Sequence, residues 1–281
     1  MVNDCDLHIK TLVSAQDFVL IKMHYNAAVD ISAKLGASNA ISGNGEGIIY
    51  RKYDDVGVHF DLLKDTSGNI FTFSFDIMNY FSQQGQGDQE GNGSGAYLFR
   101  PADNLEYNVR YTTMRNITTY NGGFVQEMFM NFTSDSAYRN STACVRVRYY
   151  DESHSSEWEV YLNDLPNDDH GREVTINWKS YDIKNNGTFW TDSNGLEMQK
   201  RILNYRPDFN LSSRFNVTTN YYPINSAISI IDPKSSFKFT VLNDRSQGGT
   251  SLEDGEIELM QNRRIFKDDN KGVEEPMNET D

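Results

Sequence analysis

The sequence predicts an all-β protein whose strands run mainly antiparallel to one another. Short segments with alternating apolar and polar residues recur along the chain, separated by stretches rich in Gly, Asn and Ser. Phe71, Phe73 and Phe75 illustrate the pattern, because residues two positions apart lie on the same face of a strand. No alternation of strand and helix patterns supports a parallel α/β sheet, so we expect a large antiparallel sandwich or a closed barrel.

The strands are placed by this alternation and by the turn signals between its segments. They cover residues 47–53, 56–63, 70–77, 107–114, 123–132, 143–150, 157–162, 173–178, 227–231, 237–242 and 256–260. Before them, two short strands within residues 5–25 are favoured over a helix across 16–35. The Ser-, Asn- and Gly-rich segment 36–47 is the predicted domain boundary.

The last two predicted strands, 237–242 and 256–260, are expected to pair as a hairpin with a long connecting loop. The loop contains the adjacent glycines Gly248 and Gly249 and an Asp-Gly turn signal at 254–255. It is longer than strand pairing requires, and long loops on a rigid sheet often carry binding residues. We therefore look for binding residues here and in the Arg-Arg pair that follows.

The charge balance limits the classes of partner. The chain has 26 basic and 40 acidic residues, a net charge of −14, which argues against a nucleic acid or an anionic membrane as partner. The sequence has no apolar run of about 18 residues, so we predict no membrane-spanning segment.

Sequons indicate the cellular compartment better than the cysteines do. Cys5 and Cys144 allow at most one internal bridge, and their spacing leaves the pairing open. Eight Asn-x-Ser/Thr sequons favour passage through the secretory pathway. Their acceptors are Asn92, Asn116, Asn131, Asn140, Asn186, Asn210, Asn216 and Asn278. The acidic start lacks the apolar segment of a signal peptide, so we expect the chain to be a piece of a longer protein.

Four stretches of this chain, taken in order, resemble the C-terminal β region of the lysosomal-type α-mannosidases of glycoside hydrolase family 38. They are SGAYLFRP at 94–101, TDSNG at 191–195 with YRP at 205–207, NYYPIN at 220–225, and the long segment NDRSQGG to EEP at 243–276. The resemblance covers roughly residues 45–281. It implies a galactose mutarotase-like supersandwich over 46–281, truncated at its C-terminal end. It also implies that residues 1–45 are remnant strands and a linker from a smaller β domain.

The family resemblance also implies an activity for the complete enzyme. That enzyme would hydrolyse terminal α-linked mannose of N-glycans with retention, using a zinc ion held by His and Asp side chains of a catalytic half outside this chain. The implied partners are a mannose-containing glycan and the catalytic domain in cis. The implied location is the lysosome or vacuole, or the cell exterior.

Three residues are implied to reach the sugar. Tyr97 would hydrogen-bond the mannose, since a phenol packs on an apolar sugar face and its hydroxyl both donates and accepts. The alternative is a buried tyrosine that anchors a sheet edge. Arg263 and Arg264 would line the site, partly through main-chain carbonyls.

The long loop before Arg263 is interpreted as support for the site. Arg245 would brace it against Asp244, Asp254 or Asp268. Gly248 and Gly249 belong to the same loop.

The residues of this chain supply no catalytic or metal constellation. Asp168-Asp169 and Asp268-Asp269 are adjacent pairs, and adjacent strand residues point to opposite faces, so neither pair converges on one bond. With His170, the first pair makes the only carboxylate-histidine cluster, whereas zinc needs three protein ligands in defined geometry. We expect no catalytic residue, metal or cofactor here, and no α-mannosidase activity from the chain alone.

A stand-alone carbohydrate-binding β-sandwich is the alternative from another functional class. An in-frame His/Asp zinc motif in neighbouring sequence would establish the enzyme, and a long interval without one would favour the binding module.

Overall fold

The computed structural model is almost entirely β structure. It describes residues 29–30, 47–54, 57–64, 69–83, 93–102, 109–110, 113–121, 125–133, 142–150, 155–163, 165, 171–208, 210–211, 216–235, 237–267, 269 and 275–279. None of the helical residues within these ranges forms a segment with the length and apolarity needed to cross a membrane.

Seventeen strands and one short helix follow one another through the described part of the chain. Strands β1 to β9 are Val29–Asp30, Gly47–Asp54, Gly57–Lys64, Asn69–Phe81, Val109–Arg110, Thr113–Asn121, Val125–Thr133, Thr142–Tyr150 and Ser156–Asn163. Strands β10 to β17 are Arg172–Ser180, Thr188–Ser193, Glu197–Ile202, Tyr222–Ile224, Ala227–Ile231, Lys238–Leu242, Gln247–Thr250 and Glu256–Arg264. Helix α1 is Asn216–Thr219.

The chain divides into two compact units that do not follow the chain order. The first comprises residues 1–53, 58–71 and 112–163, and the second comprises 54–57, 72–111 and 164–281. Val29 and Asp30 are the only described residues before position 47, so the predicted boundary near residue 45 stays a prediction.

The first unit contains a five-stranded antiparallel sheet with the order β1-β6-β7-β8-β9. Its strand β7 alternates between buried and half-buried positions along its whole length. Met128, Met130 and Phe132 form its buried face, with Val145 and Val147 of β8. This is the half-buried pattern that the sequence predicts.

The second unit contains two antiparallel sheets. Within this unit, the strand order of one sheet is β13-β16-β17-β10-β4, with β5 paired to β4, and that of the other is β12-β11-β14-β15. Phe73 of β4 contacts Phe239 of β15, with ring centroids 4.9 Å apart, so the apolar faces of the two sheets meet. Two sheets packed face to face form a sandwich, the predicted architecture.

The central strands of the second unit are buried on both faces. Phe73, Phe75 and Ile77 of β4 share a buried face, as predicted, but Ser74 and Asp76 on the other face are buried too. Strand β10 is buried at every position from 172 to 176. Alternation identifies the two faces of such strands, but it does not show that both faces are buried in the folded protein.

The hairpin predicted between 237–242 and 256–260 is wrong. Strand β15 pairs with β14, whereas β17 lies in the other sheet between β10 and β16. The segment expected to be a loop contains β16, which pairs with β13 and β17. Alternation predicts a strand but does not identify its partner. The adjacent glycines of β16 are typical of a loop, so this strand was not predicted.

Other differences are local. Of the strand predicted at 107–114, the described residues 109–110 form β5 and 113–114 begin β6. Strands β11, β12, β13 and β16 were not predicted. Several residues singled out from the sequence lie outside the described residues. They are Cys5, Asn92, Asn140, Asp168, Asp169, His170 and Asp268. Cys144 lies in β8 and is disulfide-bonded.

Candidate functional site

The segment 94–101 runs back along the end of β4 and carries Tyr97 at the tip of a tight turn. The Gln83 N–H donates to the Arg100 carbonyl at 2.9 Å, and the Ser94 N–H donates to the Gln83 backbone carbonyl at 2.8 Å. The turn closes with Gly95 N–H donating to the Leu98 carbonyl at 2.9 Å. Tyr97 is 63% exposed, so the alternative of a buried tyrosine at a sheet edge is wrong.

A fully buried carboxylate holds the base of this turn. Glu173 of β10 is 0% exposed and accepts hydrogen bonds from the Ser94 hydroxyl and from Nε of Arg263. The same guanidinium donates through Nη2 to the Leu98 carbonyl at 2.8 Å and to the other Glu173 oxygen at 3.1 Å. We call Ser94, Glu173 and Arg263 the clamp, since together they fix the residue that follows Tyr97.

The arginine neighbours on β17 lie in different surroundings. Arg263 pairs with Glu173 of the neighbouring strand β10, and Arg264 pairs with Arg172. Because adjacent strand residues point to opposite faces, the two arginine side chains lie on opposite faces of the sheet. Arg264 is buried and donates through Nε to Asn278 Oδ1 at 2.9 Å and through Nη1 to the Leu165 carbonyl. The structure therefore places the side chain of Arg263, but not that of Arg264, against the Tyr97 turn.

A second buried carboxylate contacts the turn at Tyr97 and Gly95. Asp269 is 0% exposed, and its Oδ2 accepts the backbone N–H of Tyr97 at 3.0 Å. A methyl group added at Gly95 would lie 2.4 Å from Asp269 Cβ, so the two residues are packed against each other.

Aromatic rings anchor the turn on its C-terminal side. Phe99 packs between Tyr80 and Tyr221, with centroid distances of 5.5 Å and 4.8 Å. Both phenols donate to the buried carboxylate of Glu258, Tyr80 at 3.2 Å. Burial, together with the negative charge of Glu258, raises the pKa of Tyr221 well above its ordinary value, so this phenol stays protonated and donates.

Glu256 lies two residues before Glu258, and the pKa of its carboxyl group is raised. The two carboxylates lie on the same face of β17, and Nδ2 of Asn177 donates to both, at 3.4 Å and 3.0 Å. Burial first, and then the charge of Glu258, raises the pKa of Glu256 to about 8. Glu256 is therefore a protonated carboxyl group over most of the acidic range.

The residues interpreted as loop support lie just before β16 and within it. Arg245 pairs with Asp244 through Nε–Oδ1 and Nη2–Oδ2 contacts of 3.0 Å and 3.1 Å, and both side chains are exposed. Gly248 and Gly249 are strand residues of β16 rather than loop residues. A methyl group at Gly249 would lie 2.1 Å from Ile224 Cδ1, so the site requires a glycine for close packing.

The sequence reasoning missed Glu173, Ser94 and Asp269 as parts of this site. Glu173 alternates with Val174 in a strand, which indicates an exposed residue unless both faces are covered. Asp269 was considered only as half of an acidic pair. The one signal that pointed here was the family motif around Tyr97.

The six described sequon acceptors differ in exposure. Asn116, Asn186, Asn210 and Asn278 are exposed, while Asn131 and Asn216 are half-buried. Asn116 and Asn131 face each other across β6 and β7.

Among the described residues, no group of three His, Cys, Asp or Glu side chains could hold a metal ion. The site is therefore a polar clamp that presents a phenol, with no local metal centre in that part of the chain.

Comparison with known proteins identifies the family. The model of the glycosyl hydrolases family 38 C-terminal domain matches residues 61–271. The lysosomal alpha-mannosidase of Mus musculus is 41% identical over 198 residues, 69% of this chain and 18% of that protein. The lysosomal alpha-mannosidase of Dictyostelium discoideum is 32% identical over 225 residues, 80% of this chain and 21% of that protein. The alpha-mannosidase of Canavalia ensiformis is 38% identical over 188 residues, 66% and 18% respectively. This chain thus spans about a fifth of the length of these relatives, and it belongs to the glycosyl hydrolases family 38 C-terminal domain family.

Proposed function

We propose that this chain is the C-terminal β portion of an α-mannosidase that hydrolyses terminal α-linked mannose of N-glycans. The observation that carries the proposal is the exposed phenol of Tyr97 on a turn held by buried charges. Holding a side chain in place while leaving it open to solvent is what a ligand contact requires.

In this proposal the domain supplies one edge of the sugar site. The Tyr97 ring packs on the apolar face of mannose, and its hydroxyl exchanges hydrogen bonds with the sugar. Arg263 keeps the turn in place through Leu98, and its guanidinium is occupied by Glu173. Arg264 contributes through its main chain at most, since its side chain is buried against Asn278 and Leu165.

The chemical step belongs to a catalytic domain that acts in cis. The described residues offer no three-ligand metal group, so they do not fit the zinc ion that the family implies, and we route no step through it here. We accordingly propose that residues 1–281 alone release no mannose from an aryl α-mannoside, with or without added zinc. The names of the relatives and the sequons support a lysosomal or vacuolar location for the protein.

The test is Tyr97→Phe in the enzyme that carries this domain. Loss of one neutral hydrogen bond to substrate is worth about 0.5–1.5 kcal/mol, so kcat/KM is expected to fall about 2- to 13-fold. The fall is greater for Tyr97→Ala, which also removes the ring. Tyr205→Phe is the matched control, because Tyr205 is another exposed tyrosine of the same unit, at 55%.

Unchanged kinetics for both Tyr97 variants would remove Tyr97 from the sugar site. Mannoside binding without any hydrolysis by the full-length protein would favour a carbohydrate-binding module instead.

A further inference from the structure

We propose that Asp269 is a positioning residue for Tyr97, and that its buried carboxylate sets the direction in which the phenol meets the sugar. The proposal deepens the function proposed above and rests on it. It assigns to the segment after β17 a role in substrate recognition through the backbone of a residue 172 positions away.

The first argument is the hydrogen-bond pattern of the turn. Its two internal bonds use the N–H groups of Gly95 and Leu98 and the carbonyls of the same two residues. The Tyr97 N–H instead donates to Asp269 Oδ2. The backbone at the tip of the turn is therefore held from outside the turn, at the residue whose side chain is presented.

The second argument is the burial of Asp269. A carboxylate taken fully out of water is costly unless hydrogen bonds satisfy it. An N–H donated to a charged acceptor is also stronger than a neutral pair, roughly twofold. A fully buried aspartate beside the most exposed tyrosine of the described residues is thus a firm anchor for that tyrosine.

The third argument is the fit against Gly95. A methyl group on Gly95 would lie within 2.5 Å of Cβ, Cγ and Oδ2 of Asp269. Only a residue without a side chain lets the carboxylate approach the Tyr97 N–H this closely. Gly95 and Asp269 therefore act as a matched pair.

The clamp and the rings around Phe99 hold the turn independently of Asp269, so the positioning of Tyr97 can be tested without unfolding the turn. Leu98 is bonded to Arg263, and Phe99 lies between Tyr80 and Tyr221, and neither of these contacts involves Asp269. Removal of the Asp269 carboxylate should therefore release Tyr97 without detaching the turn.

The experiment uses the full-length enzyme with Asp269→Ala, Asp269→Asn, Tyr97→Ala and the double variant Asp269→Ala/Tyr97→Ala. We expect Asp269→Ala to lower kcat/KM about 10-fold, because small misplacements of a binding group cost up to about 100-fold. Asp269→Asn keeps the shape and one acceptor oxygen, and should stay within about 3-fold of wild type. The double variant should be no worse than Tyr97→Ala, because Asp269 acts through Tyr97.

Hydrogen exchange gives a second readout that does not depend on activity. In Asp269→Ala the Tyr97 N–H should lose protection, while the Leu98 N–H, bonded within the turn, keeps it. Gly95→Ala should reproduce the exchange and kinetic losses with Asp269 still in place.

Two outcomes overturn the proposal. They are an Asp269→Ala loss that multiplies with the loss of Tyr97→Ala, and an unchanged exchange rate at Tyr97 in both Asp269→Ala and Gly95→Ala. If Tyr97→Ala leaves activity intact while the exchange result holds, then Asp269 still positions Tyr97 and only the sugar-contact role fails.

Discussion

Strands β9 and β10 have similar sequence patterns but opposite environments. Both alternate apolar and charged or polar residues, and both place a glutamate opposite an arginine of a neighbouring strand. In β9, at the end of its sheet order, the Glu159 side chain is 30% exposed and shares Arg146 and Arg148. In β10, between β4 and β17, Glu173 is fully buried and bonded to Arg263. Position in the sheet, rather than local sequence, decides which glutamate is buried.

The difference explains why only one of these glutamates belongs to a site. The ion pairs of Glu159 are half-buried on a sheet face, and partial screening by water weakens them. A buried one is retained at a desolvation cost, and here it bonds two residues of the Tyr97 turn. Disagreement between local pattern and burial therefore coincides with the candidate site of this chain.

Removal of the two glutamates is the strongest test of this comparison. Glu173→Ala leaves the Arg263 guanidinium without its buried partner and should destabilise the protein by about 3–5 kcal/mol. Glu159→Ala should cost at most about 1 kcal/mol, because its arginines keep solvent or other carboxylates as partners. Thermal unfolding of the full-length protein measures both. Equal shifts in Tm would mean that burial does not distinguish the two pairs.

Gly248 and Gly249 test how tightly β16 packs beside these central strands. A methyl group at Gly249 would meet Ile224, Leu259 and the Glu258 carbonyl, and overpacking of this kind costs about 1–3 kcal/mol. At Gly248 the nearest atom would be a ring carbon of Tyr221 at 3.1 Å, which a small ring movement relieves. We expect Gly249→Ala to lower Tm clearly more than Gly248→Ala does. The reverse order would show that β16, between β13 and β17, shifts more easily than the Tyr221 ring.

The contribution of Glu256 to the stability of the folded protein is expected to depend on pH. Its pKa lies near 4.5 in the unfolded chain and at about 8 in the folded protein, so the folded state holds the proton more tightly. The stability from this group is fully present below about pH 4.5 and is lost as the pH rises to about 8. Glu256→Gln, neutral at every pH, should match wild type near pH 4.5 and gain in relative Tm up to pH 8. Burial is the largest cause of this shift, the charges of Glu258 and Glu253 add to it, and the charge of Lys179 opposes it.

The control for the pH series is Glu157→Gln on β9. Its side chain is 55% exposed beside Arg148, so this substitution measures the effect of removing a glutamate charge from an exposed position. A flat series for Glu256→Gln would contradict the raised pKa of Glu256.

The positions of many strands could be predicted, because alternation is a local signal, whereas their pairing could not. The strand predicted at 227–231 coincides with β14, and that predicted at 143–150 differs from β8 by one residue. Strand β16 could not be predicted, since Gln247-Gly248-Gly249-Thr250 has the composition of a turn and becomes a strand only through its neighbours.

The candidate site was less accessible to sequence reasoning. Tyr97 came from a family motif, but the groups that hold it come from 79 and 172 positions away along the chain, through Ser94–Glu173 and Tyr97–Asp269 contacts. Such contacts are made by the fold, and no spacing or periodicity within a strand encodes them. Hydrophobic patterning also assigns charged residues to the surface, and the buried charges of this site are exceptions to that rule.

Arg245 gives the smallest expected effect and tests the interpretation of the loop before β16. Its pair with Asp244 joins neighbouring residues, and the two side chains are 64% and 76% exposed. The Arg245 guanidinium lowers the pKa of the Asp244 carboxyl, but a pair this exposed is worth at most about 1 kcal/mol. Asn243 contributes more to the same loop, because its Nδ2 donates to the Ile224 carbonyl at 3.0 Å and to the Arg245 carbonyl. We therefore expect Arg245→Ala to leave Tm nearly unchanged and Asn243→Ala to lower it measurably, and a larger loss from Arg245→Ala would restore Arg245 as the brace of this loop.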